Sequence, residues 1–285
     1  MARKLNRWDF LEMKRQGRPC VMVAAYDFPT ASFAERAGMD MILVGDSLGM
    51  VLLGYKSTIP VTMEECLIHC RAVRRGAPDT WCIGDLPFMS YQVSAAQAVE
   101  NAGRFIKEAD MDCVKLEGGL RVARQIEAIR DAGILVMGHI GLTPQSSAAL
   151  GGFKAQGRDA AGARAVIEDA LAVEKAGAFS VIVEGVPREV TGFLAGKLRI
   201  PVYGIGAGLC DGQVQVVGDM LGLFEAFTPK FAKKYADLAQ VEIRAFQDYI
   251  DDVRSRRYPG DEHTYNVLKN EKESLEKLFE EYESK

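Results

Sequence analysis

The feature that most limits what this chain can fold into is a repeated pairing. A short apolar run is followed by a stretch whose apolar residues recur every three or four positions. The clearest copy is Met41-Ile42-Leu43-Val44-Gly45-Asp46-Ser47-Leu48-Gly49. A run that is apolar on both faces reads as a strand buried in a parallel sheet with helices on its outside. Similar runs occur at 20–26, 81–87, 113–119, 134–139, 180–184 and 201–208, with a weaker one at 214–221. The intervening stretches carry helix signals. Thr62 with Glu65 and Ser94 with Gln97 are capping boxes. Met63, Cys66, Leu67, Cys70 and Val73 share one helical face, and Gly76 and Pro78 end it. Eight such units in about 200 residues, with no composition break, favour a (β/α)8 TIM barrel over a doubly wound sheet. The expected division is a barrel domain over 1–260, with an N-terminal helix around Trp8, Phe10 and Leu11, and a helical tail over 261–285. Pro229 is expected to open a long helix through Phe231, Tyr235 and Leu238.

Composition removes several function classes. The formal net charge of −4 gives no bulk attraction to nucleic acid or an anionic membrane. The basic run Arg71 to Arg75 closes a helix pattern, where cations suit the helix dipole. Most of the six cysteines sit inside apolar patterns, as small buried hydrophobes do. Cys66 and Cys70 lie four apart, but no further ligands stand near them for a zinc site. The cysteine spacing does not resemble a secreted disulfide framework. No apolar run reaches the roughly 18 residues of a membrane span, and the N-terminus lacks a signal-like apolar segment, so the expected location is cytoplasmic.

The residues that end the strands are polar: Asp46, Asp85, Lys115 with Glu117, His139 and Glu184. Each has an ordinary structural explanation, such as a helix cap, an ion pair or a satisfied core histidine. In a barrel, however, all of them converge on the C-terminal face. Polar groups at the ends of buried strands cost several kcal/mol unless they are paired or bind an ion. Three carboxylates at one mouth repel, and a divalent cation is the simplest neutraliser. Oxygen ligands from different strands suit Mg²⁺. A metal beside a lysine and across from a glutamate points to enolate chemistry, with the ion polarising a keto oxygen. Lys115 then holds a carboxylate or oxyanion, or simply pairs with Glu117, and Glu184 moves protons. The long loop from Gly141 to Gly162 has the length of a functional segment. Gly204-Ile-Gly-Ala-Gly208 lacks the dinucleotide-binding spacing.

Several strings together resemble the ketopantoate (3-methyl-2-oxobutanoate) hydroxymethyltransferase family. They are Tyr26-Asp27, Ile42 to Gly49, Pro60-Val61-Thr62, Val73 to Gly76, Asp85 to Met89, Val114 to Gly119, Gly138 to Gln145 and Gly151 to Lys154. Gly204 to Gly208 and Pro229-Lys230-Phe231 extend the likeness, which spans roughly 3–263. The resemblance implies a barrel of the phosphoenolpyruvate/pyruvate type assembled as a homodecamer. It implies transfer of a one-carbon unit from 5,10-methylenetetrahydrofolate to 3-methyl-2-oxobutanoate, giving 2-dehydropantoate for pantothenate biosynthesis. By match to the family's strings, Asp46, Asp85 and Glu117 are the Mg²⁺ ligands. Asp46, Ser47, Asp85, Lys115 and His139 hold the keto acid, and Glu184 is the catalytic proton acceptor. Gly45 and Gly49 let the backbone approach the substrate. One departure is Gly185 before Val186-Pro187, where the family often has Cys. The rival readings are another enolate enzyme of the phosphoenolpyruvate mutase/isocitrate lyase superfamily, or a non-catalytic barrel.

Overall fold

The computed structural model describes residues 3–285. Eight parallel strands close into a barrel in chain order. They are β1 (Cys20–Ala24), β2 (Met41–Val44), β3 (Trp81–Asp85), β4 (Cys113–Glu117), β5 (Val136–Gly141), β6 (Ser180–Glu184), β7 (Val202–Ile205) and β8 (Gly212–Val216). Closure comes from β1 pairing β8, with Cys20 opposite Gly212 and Ala24 opposite Val216. Helices α1 (Arg7–Gln16), α2 (Phe28–Ala37), α3 (Leu48–Val51), α4 (Met63–Gly76), α5 (Ala95–Ala109), α6 (Ala123–Asp131), α7 (Ala160–Ala176), α8 (Arg188–Lys197) and α9 (Val217–Leu221) alternate with the strands. The predicted (β/α)8 architecture is therefore observed.

Local chemistry accounts for the helix starts. The Thr62 side chain accepts from the Glu65 amide while Glu65 returns a bond to the Thr62 backbone, the reciprocal pattern expected at α4. Asn6, Asp27, Ser94 and Asp159 cap α1, α2, α5 and α7 through their side-chain oxygens. Strand alternation separates the wall from the interior. A Cβ on Gly84 would lie 2.4 Å from Phe105 of α5, and one on Gly138 would lie 2.4 Å from Val173 of α7. Those positions face the helices, so their neighbours Asp85 and His139 point to the barrel axis.

The basic run has a structural use beyond the helix dipole. Arg74 is buried at the C-terminal end of α4. It donates to the Asp110 carbonyl at 2.7 Å and the Thr80 carbonyl at 3.0 Å, and pairs with Asp112. One guanidinium thus ties α4 to the start of β3 and the turn before β4. Arg74→Met should cost about 2–3 kcal/mol, because it leaves the Asp110 and Thr80 carbonyls without this donor and Asp112 with only Lys4 and the Cys82 amide. Urea unfolding followed by circular dichroism checks this, and a loss below about 0.5 kcal/mol refutes the pinning role.

Most strand ends shift by about two residues, and three differences from expectation are larger in consequence. β8 spans Gly212–Val216, and Val217–Leu221, expected as strand, is helix α9. A short apolar run does not by itself distinguish the two. β7 stops at Ile205, since Gly206 and Gly208 adopt positive φ and turn the chain. Pro229 does not start a helix; the next one begins at Leu238. A Cβ on Gly206 would lie 2.6 Å from the Phe231 ring, so Phe231 packs against the β7 turn, and the segment makes a single turn, with the Ala232 amide on the Pro229 carbonyl, instead of a helix.

The chain divides into two compact units between Ala236 and Asp237, ahead of the expected 260/261 boundary. The second unit contains α10 (Leu238–Arg254) and α11 (Lys272–Glu283). Within it, the Tyr249 and Tyr258 rings meet edge to face at 5.6 Å. All six cysteines are free, and five are buried.

Candidate active site

The strand-end residues meet at the C-terminal mouth. Asp46 follows β2 by two residues, Asp85 ends β3, Lys115 and Glu117 alternate along β4, His139 lies on β5 and Glu184 ends β6. Asp46, Asp85, Lys115, Glu117 and His139 are each no more than 4% exposed. Lys115 Nζ donates to Asp85 Oδ2 at 2.8 Å and to Glu117 Oε1 at 3.2 Å. Asp85 Oδ2 also accepts the Asp46 backbone amide at 3.0 Å. His139 lies between two carboxylates, with Nδ1 3.5 Å from Glu117 and Nε2 3.2 Å from Glu184. Neither contact is an aligned hydrogen bond, so the attraction is between charges. Both ring nitrogens thus face protein carboxylates. Ser47 Oγ sits 2.7 Å from the Tyr26 hydroxyl.

The result is a row of alternating charge: Asp46 and Asp85, Lys115, Glu117, His139, Glu184. Burial and the neighbouring Asp85 charge push Asp46 well above the usual carboxylate range, against the pull of Lys115. Burial also raises Asp85. Glu117 behaves oppositely. Burial would lift it, but Lys115 and His139 outweigh that and hold it at about 2. Burial and the Lys115 charge pull His139 down, yet Glu117 and Glu184 prevail and raise it to about 9. His139 is therefore an imidazolium at neutral pH. Since its folded value lies above the unfolded one, its contribution is complete below about pH 6.5 and disappears as pH rises through 9. Between pH 7 and 9.5 the wild-type chain should lose more stability than His139→Gln, by about 2 kcal/mol. Parallel denaturation curves for the two proteins would contradict this charge state.

Among the described residues, no group of three or more His, Cys, Asp and Glu side chains is arranged as a ready metal cage. Open ligand atoms nevertheless exist. Asp85 Oδ1 is buried without a hydrogen-bond partner, and only Oδ2 of Asp46 accepts one. Mg²⁺ is commonly held by one or two carboxylates, with water and substrate oxygens completing its shell. Asp46 and Asp85 fit that requirement. Glu117 differs, because Oε1 faces Lys115 and His139 while Oε2 accepts the Gln145 amide at 3.0 Å. Gly49 also differs from expectation. A Cβ there would lie 2.5 Å from Val61, so the glycine accommodates loop packing.

Sequence reasoning missed two residues of the site. Gln145 and Tyr91 are buried and hydrogen-bonded to each other at 2.7 Å. Gln145 closes one of the motif strings, which was its only signal. Tyr91 lies in a loop with no periodicity to reveal it. Two surface hollows lie elsewhere. One of about 680 Å³, between α1 and the segments entering β6 and β7, is at the N-terminal end of the barrel, away from this chemistry. The other, about 470 Å³, is lined by Ile59–Met63 and Pro87–Ser90 in the loops after β2 and β3.

A closed parallel barrel of this kind is shared with known structures. Phosphoenolpyruvate phosphomutase from Streptomyces platensis subsp. rosaceus is 16% identical, with a TM-score of 0.60 over 98% of this chain and 99% of that one. Phosphonopyruvate hydrolase, solved in complex with oxalate and Mg²⁺, is 12% identical, with a TM-score of 0.59 over 98% of each chain. The fold is thus that of the phosphoenolpyruvate mutase/isocitrate lyase barrels. Sequence narrows the class. The family pattern of ketopantoate hydroxymethyltransferase matches residues 4–261. The 3-methyl-2-oxobutanoate hydroxymethyltransferase of Alkaliphilus metalliredigens (strain QYMF) is 64% identical, covering 99% of this chain and 100% of that protein. The chain belongs to the ketopantoate hydroxymethyltransferase family and is a transferase. Among the described residues, no helix is long and apolar enough to cross a membrane.

Proposed function

We propose that this chain transfers a hydroxymethyl group from 5,10-methylenetetrahydrofolate to 3-methyl-2-oxobutanoate, giving 2-dehydropantoate for pantothenate synthesis. The observation that carries the reading is the buried row Asp46, Asp85, Lys115 and Glu117 in a chain of this family. Asp46 and Asp85 would hold Mg²⁺ directly, and Glu117, whose oxygens are engaged by Lys115, His139 and the Gln145 amide, would be the third carboxylate of the metal site through a bridging water. Support comes from the open oxygens of the two aspartates and from the Mg²⁺ and oxalate in the phosphonopyruvate hydrolase of like fold. The ion supplies Lewis acidity that stabilises negative charge developing on the keto oxygen.

The remaining chemistry falls to the side chains. An ammonium has three donors, and Lys115 uses two on Asp85 and Glu117. The third faces the keto acid. Ser47, Asp46 and Asp85 line the same position, and His139 acts from behind it by holding Glu184. Glu184, with its side chain 14% exposed, reaches the mouth and accepts the proton from C3 of the keto acid. The electron pair of that C–H bond forms the new carbon–carbon bond to the folate methylene carbon as one of that carbon's two C–N bonds opens. The oxygen of water then replaces the second nitrogen on the same carbon, and the two folate nitrogens take up the proton held by Glu184 and one proton from the water as tetrahydrofolate departs. The same reading places the enzyme in the cytoplasm as a homodecamer.

The test incubates the protein with 3-methyl-2-oxobutanoate, methylenetetrahydrofolate and Mg²⁺ and assays 2-dehydropantoate. Product formation and metal-dependent deuterium exchange at C3 are expected. Turnover of a phosphonate or a 2-methylisocitrate-type substrate instead would assign the chain to another enolate chemistry. Absence of exchange with every divalent metal would assign it to the non-catalytic barrels. Light scattering on the eluted protein tests the decamer.

A further inference from the structure

Gln145 lies in the 3₁₀ turn Pro144–Ser146 after β5, and is 4% exposed. Its Nε2 donates to Asp46 Oδ2 at 2.9 Å and to the Leu86 carbonyl at 2.9 Å. Its Oε1 accepts from the Tyr91 hydroxyl at 2.7 Å and from Gln92 Nε2 at 3.2 Å. A primary amide has two N–H donors and two acceptor lone pairs, and here all four are used. The amide can sit only one way round. Reversed, its oxygen would face a carboxylate and a carbonyl, both acceptors. Tyr91 secures the arrangement from the other side, since its hydroxyl also contacts the Glu117 carbonyl at 3.1 Å and receives the Glu117 amide at 3.2 Å.

We infer that Gln145, held by Tyr91, is a positioning residue that fixes the orientation of the Asp46 carboxylate and so sets the mouth's affinity for a divalent cation. The inference rests on the reading of Asp46 as a metal ligand given above. Its physical content is simple. The amide takes one oxygen of Asp46 and leaves the other open. A carboxylate free to rotate about its last bond has to be reoriented each time an ion binds. One with a fixed donor does not. The groups that orient ligands in this way govern metal affinity strongly, and their loss commonly weakens it by about 10–100-fold. The contact with Glu117 is separable, because Gln145 reaches Glu117 through its backbone amide, which a side-chain substitution retains.

Gln145→Met keeps the length and volume of the side chain and removes the amide. Titration calorimetry with Mg²⁺ alone should show a Kd at least about tenfold weaker than wild type. The rise in Tm produced by saturating Mg²⁺ should shrink in step. The metal-free Tm should fall only by a few degrees, because the Leu86 carbonyl loses a donor. Loss of fold stability alone would leave the Mg²⁺-dependent increment unchanged, and that outcome overturns the inference. Tyr91→Phe, which removes one hydroxyl and keeps the ring, should weaken Mg²⁺ in the same direction by about threefold. If Gln145→Met does not fold, Tyr91→Phe decides, and a wild-type Kd there sinks the idea. Wild-type protein that takes up no Mg²⁺ removes the metal reading and this inference together. Wild-type uptake with an unchanged Gln145→Met removes the inference alone.

Discussion

Asp85→Ala is expected to eliminate Mg²⁺-dependent deuterium exchange at C3 of the keto acid and to lower kcat/KM by about 10³-fold or more. Asp85 has three tasks in the structure. Its Oδ1 is an open ligand atom, its Oδ2 anchors Lys115, and the same Oδ2 receives the Asp46 amide. Removal therefore takes away the proposed cation ligand and loosens the two groups beside it. The fold should persist, because β3 is still paired with β2 and β4 along its length. Far-ultraviolet circular dichroism with an exchange assay by proton resonance reads both outcomes. A folded variant with exchange within a few-fold of wild type would remove Asp85 from the metal site.

Glu184→Gln should slow exchange at C3 by about 10²–10⁴-fold while changing KM for the keto acid little. The substitution keeps the shape of the side chain at the end of β6 but cannot accept a proton. It also keeps a polar oxygen near His139 Nε2, now 3.2 Å from Glu184, so the local packing should hold. A variant whose kcat is normal and whose KM alone rises would make Glu184 a binding group and move the proton acceptor elsewhere.

Much of the fold was legible because buried parallel strands leave continuous apolar runs, and because helix starts carry local chemistry. Met41 to Val44, Trp81 to Asp85 and Ser180 to Glu184 occur where their composition placed them. Thr62 and Glu65 form the expected reciprocal cap. The failures arose where local signals were ambiguous, and for one of them a distant contact made the choice. Val217 to Leu221 is apolar enough for a strand and forms a helix. Residues 229–235 have helical spacing but make a single turn where Phe231 covers Gly206. Among site residues, the polar strand ends stood out, since an ionisable group after an apolar run is conspicuous. The structure brings all of them to one mouth. What sequence could not supply was the order of contacts. Nothing in the spacing shows that His139 faces two carboxylates, or that a glutamine from the loop after β5 crosses to Asp46.

The row of alternating charge also bears on the order in which ligands arrive. Four carboxyl groups (Asp46, Asp85, Glu117 and Glu184) face two cations (Lys115 and His139), so the mouth carries surplus negative charge, part of it relieved by the raised proton affinity of the two aspartates. A keto acid is itself an anion and meets repulsion there when it comes alone. A divalent cation reverses the sign of that field. Under the proposed function the barrel mouth is therefore expected to act as an electrostatic turnstile that admits the metal first and the keto acid second, and saturation by the keto acid should steepen with Mg²⁺ concentration as in compulsory-order binding.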